Sequence, residues 1–407
     1  MNKIVVEGPA RLSGEVRVGG SKNAVLPILF ATVATGGVSK ISNVPDIGDV
    51  RVAIELLEEL GVSVVRQGDV TYVDSRGISY RPPRADLVSK IRASSYLIGA
   101  CLSRFGMCDV GGFGGCNFGA RPIDLHIFAA ECLGARLREG RLKASELRGA
   151  EIVFKKPSVG ATVNAILMSV SAEGETVIRG FAKEPHIDSL IAFLISAGAD
   201  ITAGEDEIRI VGKPLRGGEI TVIGDMIEAG TYLSAGVMTD GEVTVKGCDV
   251  SHLSSLVDVL ERFGAEVILG DGTVKAKRGK DIHPITVTAS PYPDFPTDLQ
   301  PIIAPLLASG AGGIITDRVW CERFGYLDQL HRFGIRSKRV GATAIVEPSR
   351  IVPAMTEAPD LRGGMACLLT ALMAKGESIV YSPETILRGY EDLEKKLASL
   401  GASVKII

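Results

Sequence analysis

Cys116 stands in a segment, residues 110–122, with glycines at 111, 112, 114, 115 and 119, and Arg121 follows it by five residues. The thiolate is the reactive form of cysteine, and a neighbouring guanidinium lowers the thiol pKa, so this pair could supply a nucleophile or a proton donor. A run so rich in glycine takes backbone conformations closed to other residues. It has neither the G-x-x-x-x-G-K-[ST] form of a phosphate loop nor a dinucleotide fingerprint in a strand–turn–helix setting. On these grounds alone, an incidental loop cysteine stands beside the chemical reading.

A second set of residues recurs at equivalent places. Lys22, Arg92, Lys156 with Ser158, Asp225, Asp298 and Arg362 each precede a glycine of one recurrent type by 36 to 42 residues. Cys116 with Arg121, Glu184, Arg323 and Arg388 precede such glycines by 11 to 18 residues. These are the places where helices should begin. A helix N-terminus offers free N–H groups and a positive dipole end, so it favours anions. Several such ends gathered with Lys and Arg would trap phosphate and carboxylate, and the arginine fork suits both. One cation at a helix start works against the dipole and by itself is an ordinary solvated residue, while Asp225 and Asp298 are ordinary capping types. The recurrence of cations at matching places is what points to an anion site.

The elements that must position these residues form a repeat. The signature is the end of an amphipathic helix, an apolar residue, a glycine, and a small or branched residue opening a strand. Its copies are Leu60-Gly61-Val62, Leu133-Gly134-Ala135, Ala197-Gly198-Ala199, Phe263-Gly264-Ala265, Phe333-Gly334-Ile335 and Leu400-Gly401-Ala402. The glycines are spaced by 73, 64, 66, 70 and 67 residues, which marks a duplicated unit and a left-handed helix cap in each copy. Within a unit the pattern reads helix, short strand, helix, strand pair. In the first copy, residues 23–34 form a small apolar helix, 38–41 a strand, and 50–60 an amphipathic helix with Ile54, Leu56, Leu57 and Leu60 on its apolar side. The first helix of each unit is the more apolar, which implies burial inside a ring of strands.

The sixth unit stops at Ile407 without its last strands, while residues 3–18 resemble 207–222. The two ends of the chain are therefore expected to pair in one discontinuous domain. This predicts a first domain at 22–224 and a second made of 1–21 and 225–407, each with three repeats. A chain of 407 residues is too long for one ordinary core.

A hydrophobic fraction of 46%, a charged fraction of 23% and a net charge of -3 describe a globular chain with no attraction to nucleic acid or a membrane surface. No run is long and apolar enough to span a bilayer, and the start lacks a signal-peptide core. Seven cysteines without a C-x-x-C pair argue against a disulfide framework and for a reducing cytoplasm. The histidines show no zinc-type spacing, so no metal is expected.

Gly19-Gly20-Ser21-Lys22-Asn23-Ala24, Arg92-Ala93-Ser94, Gly115-Cys116 with Gly119-Ala120-Arg121-Pro122-Ile123-Asp124-Leu125-His126, and Ser158-Val159-Gly160-Ala161-Thr162 occur in that order. Phe295-Pro296-Thr297-Asp298, Glu322-Arg323-Phe324, Asp360-Leu361-Arg362 and Arg388-Gly389-Tyr390 follow. Over the whole chain this series resembles the UDP-N-acetylglucosamine enolpyruvyltransferase (1-carboxyvinyltransferase) family. The signatures of the sister family acting on shikimate 3-phosphate are absent. The resemblance implies an α/β fold of two domains, an inside-out α/β barrel of six βαβαββ-type units with the active site between the domains. It implies transfer of the enolpyruvyl group of phosphoenolpyruvate to the 3-hydroxyl of UDP-N-acetylglucosamine, the first committed step of peptidoglycan synthesis, with no cofactor.

Carried over by position, Lys22, Arg121 and Arg388 resemble contacts to the phosphate of phosphoenolpyruvate, and Arg323 and Arg362, with Arg388 shared, resemble anchors for its carboxylate. Asp298 resembles the base near the sugar 3-hydroxyl. Cys116 resembles the general acid or covalent ligand, and the thiol attacked by the inhibitor fosfomycin. Asn23, Arg92, Arg121, Pro122, Ile123, Asp124, Leu125, Lys156, Ser158, Val159, Gly160 and Asp298 resemble the nucleotide-sugar contacts. The glycine-rich segment would cover the site and exclude water.

Four positions depart from the family pattern: Met226 where Arg is common, Leu387 where an acid is usual, Pro359 in place of Thr, and Tyr96 in place of Trp. None removes a residue of the implied chemistry. They leave two other readings in view, a transferase for another uridine nucleotide such as UMP and a catalytically weak protein that binds nucleotide sugar.

Overall fold

Each recurrent glycine takes a left-handed backbone: φ is 90° at Gly61, 96° at Gly134, 100° at Gly198, 106° at Gly264, 85° at Gly334 and 95° at Gly401. A side chain is strained there, so glycine ends the helix and turns the chain into the next strand. The computed structural model describes residues 2–114 and 122–407. The helices that these glycines end are Gly48–Glu59, Asp124–Cys132, Pro185–Ser196, Ser254–Phe263, Leu327–Arg332 and Leu393–Ser399.

The first helices of the repeats are of another kind. They are Lys22–Thr35, Leu97–Phe105, Val159–Ser169, Met226–Met238, Gln300–Ala308 and Leu361–Met373. In Lys22–Thr35 every residue from Ala24 to Val33 is buried. A helix buried on all faces has no polar side to show, and it needs neighbours all round. Lys22–Thr35, Leu97–Phe105 and Val159–Ser169 pack on one another, and Gln300–Ala308 packs on both Met226–Met238 and Leu361–Met373.

The strands form six small sheets. Five have four strands in one pattern: an antiparallel outer pair, a central strand antiparallel to it, and an edge strand parallel to the central one. The outer pair is a hairpin in four of them and joins Lys3–Gly8 to Ser403–Ile406 in the fifth. In one of these, Val38–Ser42 is antiparallel to Val70–Asp74 and parallel to Glu219–Thr221, with Lys40 opposite Glu219. The sixth sheet, Met107–Asp109, Arg136–Arg138 and Arg141–Lys143, has three strands and lacks the parallel edge. The segment in the place of that edge contains Pro82 and Pro83, which have no N–H to give to a ladder. The βαβαββ order therefore holds in five repeats and is cut short in the second. No ladder joins one sheet to the next among the described strands, so closure into a barrel is not observed.

Residues 2–19 with 224–407 form one compact unit, and 20–114 with 122–223 form another. Each has its own apolar core and three of the sheets. In the first unit the strand Lys3–Gly8 lies between Gly376–Tyr381 and Ser403–Ile406, antiparallel to both. Ser13–Arg17 runs parallel to Glu242–Lys246 in another sheet of that unit. Glu219–Thr221 does the same for Val38–Ser42 in the second unit, where residues 179 apart in the chain meet at Lys40 and Glu219.

Candidate active site

In the unit of residues 20–223, the polar residues gather at the starts of helices. Lys22 opens Lys22–Thr35, and the preceding Ser21 N–H donates to Ile223 O at 2.7 Å, which ties down the approach. The Lys22 ammonium lies 3.5 Å from Asp49 Oδ2, with side chains 15% and 6% exposed. Asp49 is in the first turn of Gly48–Glu59, where the positive helix end steadies an acid. Asn23 is half-buried beside Lys22. An ammonium set so near a helix N-terminus suits an anionic oxygen.

Arg92 opens the 3-10 turn Arg92–Tyr96 and its Nη2 donates to Pro122 O at 3.3 Å. Ile123 then caps the helix Asp124–Cys132, in which Asp124 and Leu125 come first. Ser158 caps Val159–Ser169, its Oγ accepting the Ala161 N–H at 3.4 Å, so Val159 and Gly160 form that helix's first turn. Lys156 is exposed just ahead. His126 joins these segments from below: it is buried against Gly160, and its Nδ1 is 2.6 Å from Asn164 Nδ2. Burial, with the Arg92 charge acting in the same direction and Asp124 against it, pushes the imidazole down to about 4. It is neutral at ordinary pH.

In the other unit, Asp298 lies between two arginines. Arg323 Nη1 donates to Asp298 Oδ1 at 2.7 Å and Arg362 Nη2 to Oδ2 at 3.2 Å. The arginine side chains are 4% and 1% exposed, and Asp298 25%. Arg323 Nη1 also donates to Thr297 O at 3.1 Å. The Arg362 guanidinium sits over the Tyr390 ring, 5.3 Å from its centre, and Tyr390 Oη meets Thr231 Oγ1 at 2.9 Å. Burial works against charge on Arg362, but Tyr390, Asp298 and Asp225 outweigh it and raise its pKa. On Arg323 burial is likewise overcome, by Asp298 and Asp360. Both guanidiniums stay charged. Nε and Nη1 of Arg362 have no hydrogen-bond acceptor among the described residues. A buried donor so left costs about 1–3 kcal/mol, which an anionic ligand oxygen would recover.

The equivalent helix starts thus do unlike things. Asp225 caps Met226–Met238, its Oδ1 accepting Ile227 N–H at 2.8 Å and Glu228 N–H at 3.0 Å. Asp298 caps nothing, since Leu299 holds the N-cap of Gln300–Ala308. Arg388 ends the short helix Pro383–Leu387 and is half-buried. Arg323 lies in the turns ahead of Leu327–Arg332, so neither of these two arginines opens a helix. Met226 packs on the apolar core, Pro359 is exposed, and Tyr96 meets Phe30 edge-on at 6.3 Å. Cys116 and Arg121 lie outside the described residues.

Reading by residue type gave no role to Asp49, Asn164 or Asp360. Asp49 pairs with Lys22 across 27 positions, and no local pattern announces such a contact. Asp360 had a visible signal, an acid two residues before Arg362 at the head of an apolar run, which is a cap. A groove of about 480 Å³ beside Ser254–Phe263 is lined in part by Phe295, next to the Asp298 motif, but by none of the residues given a catalytic or binding role above. No group of three His, Cys, Asp or Glu able to hold a metal occurs among the described residues, and no described helix is long and apolar enough to cross a membrane.

Over residues 6–397 the chain matches the family described as EPSP synthase (3-phosphoshikimate 1-carboxyvinyltransferase). It is 41% identical over 413 residues to UDP-N-acetylglucosamine 1-carboxyvinyltransferase 3 of Caldanaerobacter subterraneus subsp. tengcongensis, covering 99% of both chains. It is 40% identical to the UDP-N-acetylglucosamine 1-carboxyvinyltransferase of Chlorobaculum parvum, covering 100% of this chain and 98% of that one. Among solved structures it superposes on the enolpyruvyl transferase NikO from Streptomyces tendae with a TM-score of 0.90 at 28% identity, over 100% of this chain and 98% of that one. EPSP synthase from Acinetobacter baumannii, at 15% identity and a TM-score of 0.75 over the full length of both chains, shares the fold.

Proposed function

The chain belongs to the EPSP synthase family of enolpyruvyltransferases, and from that footing we propose that it transfers the carboxyvinyl group of phosphoenolpyruvate to the 3-hydroxyl of UDP-N-acetylglucosamine, releasing phosphate. The observation that carries the reading is the Asp298 carboxylate held by the two buried guanidiniums of Arg323 and Arg362, the latter with two donors that find no acceptor among the described residues. The chemistry calls for such a set. An acid protonates C3 of the enol phosphate, C2 becomes electrophilic, and the hydroxyl attacks it as a base takes the hydroxyl proton. A proton then leaves C3, the C2–O bond to phosphorus breaks, and the leaving phosphate carries the charge that Lys and Arg must stabilise.

In this reading Asp298 is the base and Cys116 the acid or covalent ligand. Lys22, Arg121 and Arg388 take the phosphate, and Arg323 and Arg362 take the carboxylate. Arg92, Pro122, Ile123, Asp124, Leu125, Lys156, Ser158, Val159 and Gly160, with Asn23 and Asp298, take the nucleotide sugar. The two units would be the two domains of an inside-out α/β barrel fold, and the reaction would open peptidoglycan synthesis in the cytoplasm.

A second reading keeps the chemistry and changes the acceptor to another uridine nucleotide. The likeness to an enolpyruvyl transferase of a different name, NikO, favours it, as do Met226, Pro359 and Leu387. Phosphate release from phosphoenolpyruvate separates the readings when UDP-N-acetylglucosamine, UMP and no acceptor are compared. We expect release with UDP-N-acetylglucosamine alone; release with UMP alone would favour the second reading, and none with either would leave a binding protein.

A further inference from the structure

Asn164 is fully buried in the helix Val159–Ser169, and two backbone groups settle which way its amide points. The Gly99 N–H donates to Oδ1 at 2.6 Å, and Nδ2 donates to Ser95 O at 3.0 Å. The other amide hydrogen faces His126 Nδ1 at 2.6 Å. An amide nitrogen only donates, so Nδ1 accepts and the imidazole proton is on Nε2. The opposite edge of the ring meets the backbone of Gly160. A Cβ at Gly160 would lie 2.8 Å from His126 Cε1 and 3.0 Å from Nε2.

One buried network therefore spans three segments. The stretch from Ser95 to Gly99 follows Arg92, His126 belongs to the first turn of Asp124–Cys132, and Gly160 to the first turn of Val159–Ser169. Each segment carries residues assigned above to the nucleotide sugar: Arg92, then Asp124 with Leu125, then Val159 with Gly160. We infer that His126 and Asn164 are a positioning pair that holds these three acceptor-binding segments at one spacing, with the ring's contact on Gly160 setting the start of the third. The inference rests on reading this unit as the acceptor-binding part of the enzyme.

A buried polar group costs stability unless its bonds are made, and an apolar side chain would fill the same space at less cost. Here the Asn164 amide is fully used: Oδ1 takes one backbone donor, and Nδ2 serves one backbone acceptor and one ring nitrogen. The imidazole is neutral down to about 4 because of its burial, so the ring keeps one tautomer and the spacing does not change with pH in the physiological range. Gly160 completes the device. Within a helix alanine is intrinsically favoured over glycine, so the glycine there answers to the ring rather than to the helix.

The test is a double-mutant cycle on Gly160→Ala and His126→Ala in the full chain. Titration calorimetry gives Kd for UDP-N-acetylglucosamine and for UMP, and phosphate release gives kcat and KM. We expect each single substitution to raise the acceptor Kd by about tenfold, because small misplacement of binding groups is costly. The double variant should lose no more than His126→Ala alone, since the new methyl enters space the ring has left. For His126→Ala, kcat at saturating acceptor and KM for phosphoenolpyruvate should stay within about threefold of the unsubstituted enzyme. Acceptor binding unchanged in Gly160→Ala, or two losses that simply add, would overturn the inference. Should His126→Ala fail to fold, His126→Asn in the same cycle reads the same contact. If the unsubstituted protein binds neither nucleotide, the functional reading fails; the coupling of Gly160 and His126 in melting temperature then still tests the contact by itself.

Discussion

Two buried guanidiniums converge on one carboxylate that is itself a quarter exposed, so Asp298 is held in place while part of it stays accessible. Charge-assisted bonds of this kind are short and directional, and they fix both oxygens. If that carboxylate takes the hydroxyl proton, Asp298→Asn keeps the size and loses the base. We expect kcat to fall by about 10²–10⁴-fold, the usual worth of a general base, with acceptor Kd changed by less than about tenfold. Steady-state phosphate release and calorimetry read the two quantities separately; a loss confined to Kd would make Asp298 a binding group only. Asp298, Arg323 and Arg362 could be picked out from sequence because their types recur at matching repeat positions. Their mutual contact could not, since Arg362 reaches Asp298 across 64 positions. Asp49 and Asn164 were invisible for the same reason, each acting through a partner on a different element.

Helix starts decide where these side chains point. Asp360 takes two backbone N–H groups on one oxygen, Arg362 at 3.0 Å and Gly363 at 3.2 Å, and so closes the first turn of Leu361–Met373. Asp225 does the same for Met226–Met238, whose first turn carries no catalytic candidate. Removing either cap costs about 1 kcal/mol. The consequences for activity should differ, because Arg362 is the second residue of its helix and depends on that turn for its aim. We expect Asp360→Ala and Asp225→Ala to lower the urea midpoint alike, and Asp360→Ala to cost at least about tenfold more in kcat/KM. Asp360→Ala removes the turn that aims Arg362, while Asp225→Ala removes only one of the charges acting on that guanidinium. Equal kinetic losses would show that the cap acts on stability alone. The six second helices were legible because an apolar stripe ends at a glycine that must be left-handed. The first helices were legible only as apolar runs. Lys22–Thr35 is buried all round, so periodicity had no contrast to show, and its bounds differ from the expected 23–34 by one residue at each end.

Each compact unit closes on itself through a strand brought from far along the chain, Glu219–Thr221 in one and the first seventeen residues in the other. In the latter, Lys3–Gly8 is a central strand whose Ile4 and Val6 are fully buried. Its outer end meets the end of the chain: Lys3 N–H donates to Ile407 O at 2.7 Å, and Ile407 N–H to Lys3 O at 2.9 Å. Residues 2 and 407 are therefore near enough for a short linker, and joining them adds little loop-closure entropy. New ends belong where the backbone is exposed and holds no ladder bond. Asp271 and Gly272 form such a place, a two-residue turn between Ala265–Gly270 and Thr273–Arg278. A permutant beginning at Gly272, running through Ile407 and a Gly-Ser linker to Asn2, and ending at Asp271 keeps every strand pairing of the unit. We expect it to fold, with a melting temperature within about 5 °C of the parent and kcat within about twofold. A chain lacking residues 2–8 has the same remaining sequence but leaves Gly376–Tyr381 and Ser403–Ile406 without the strand between them, and it should be insoluble or melt without cooperativity. Circular dichroism and calorimetry on the pair decide the matter: a permutant that does not fold, or a truncated chain that does, would mean that this strand is peripheral to the unit it crosses.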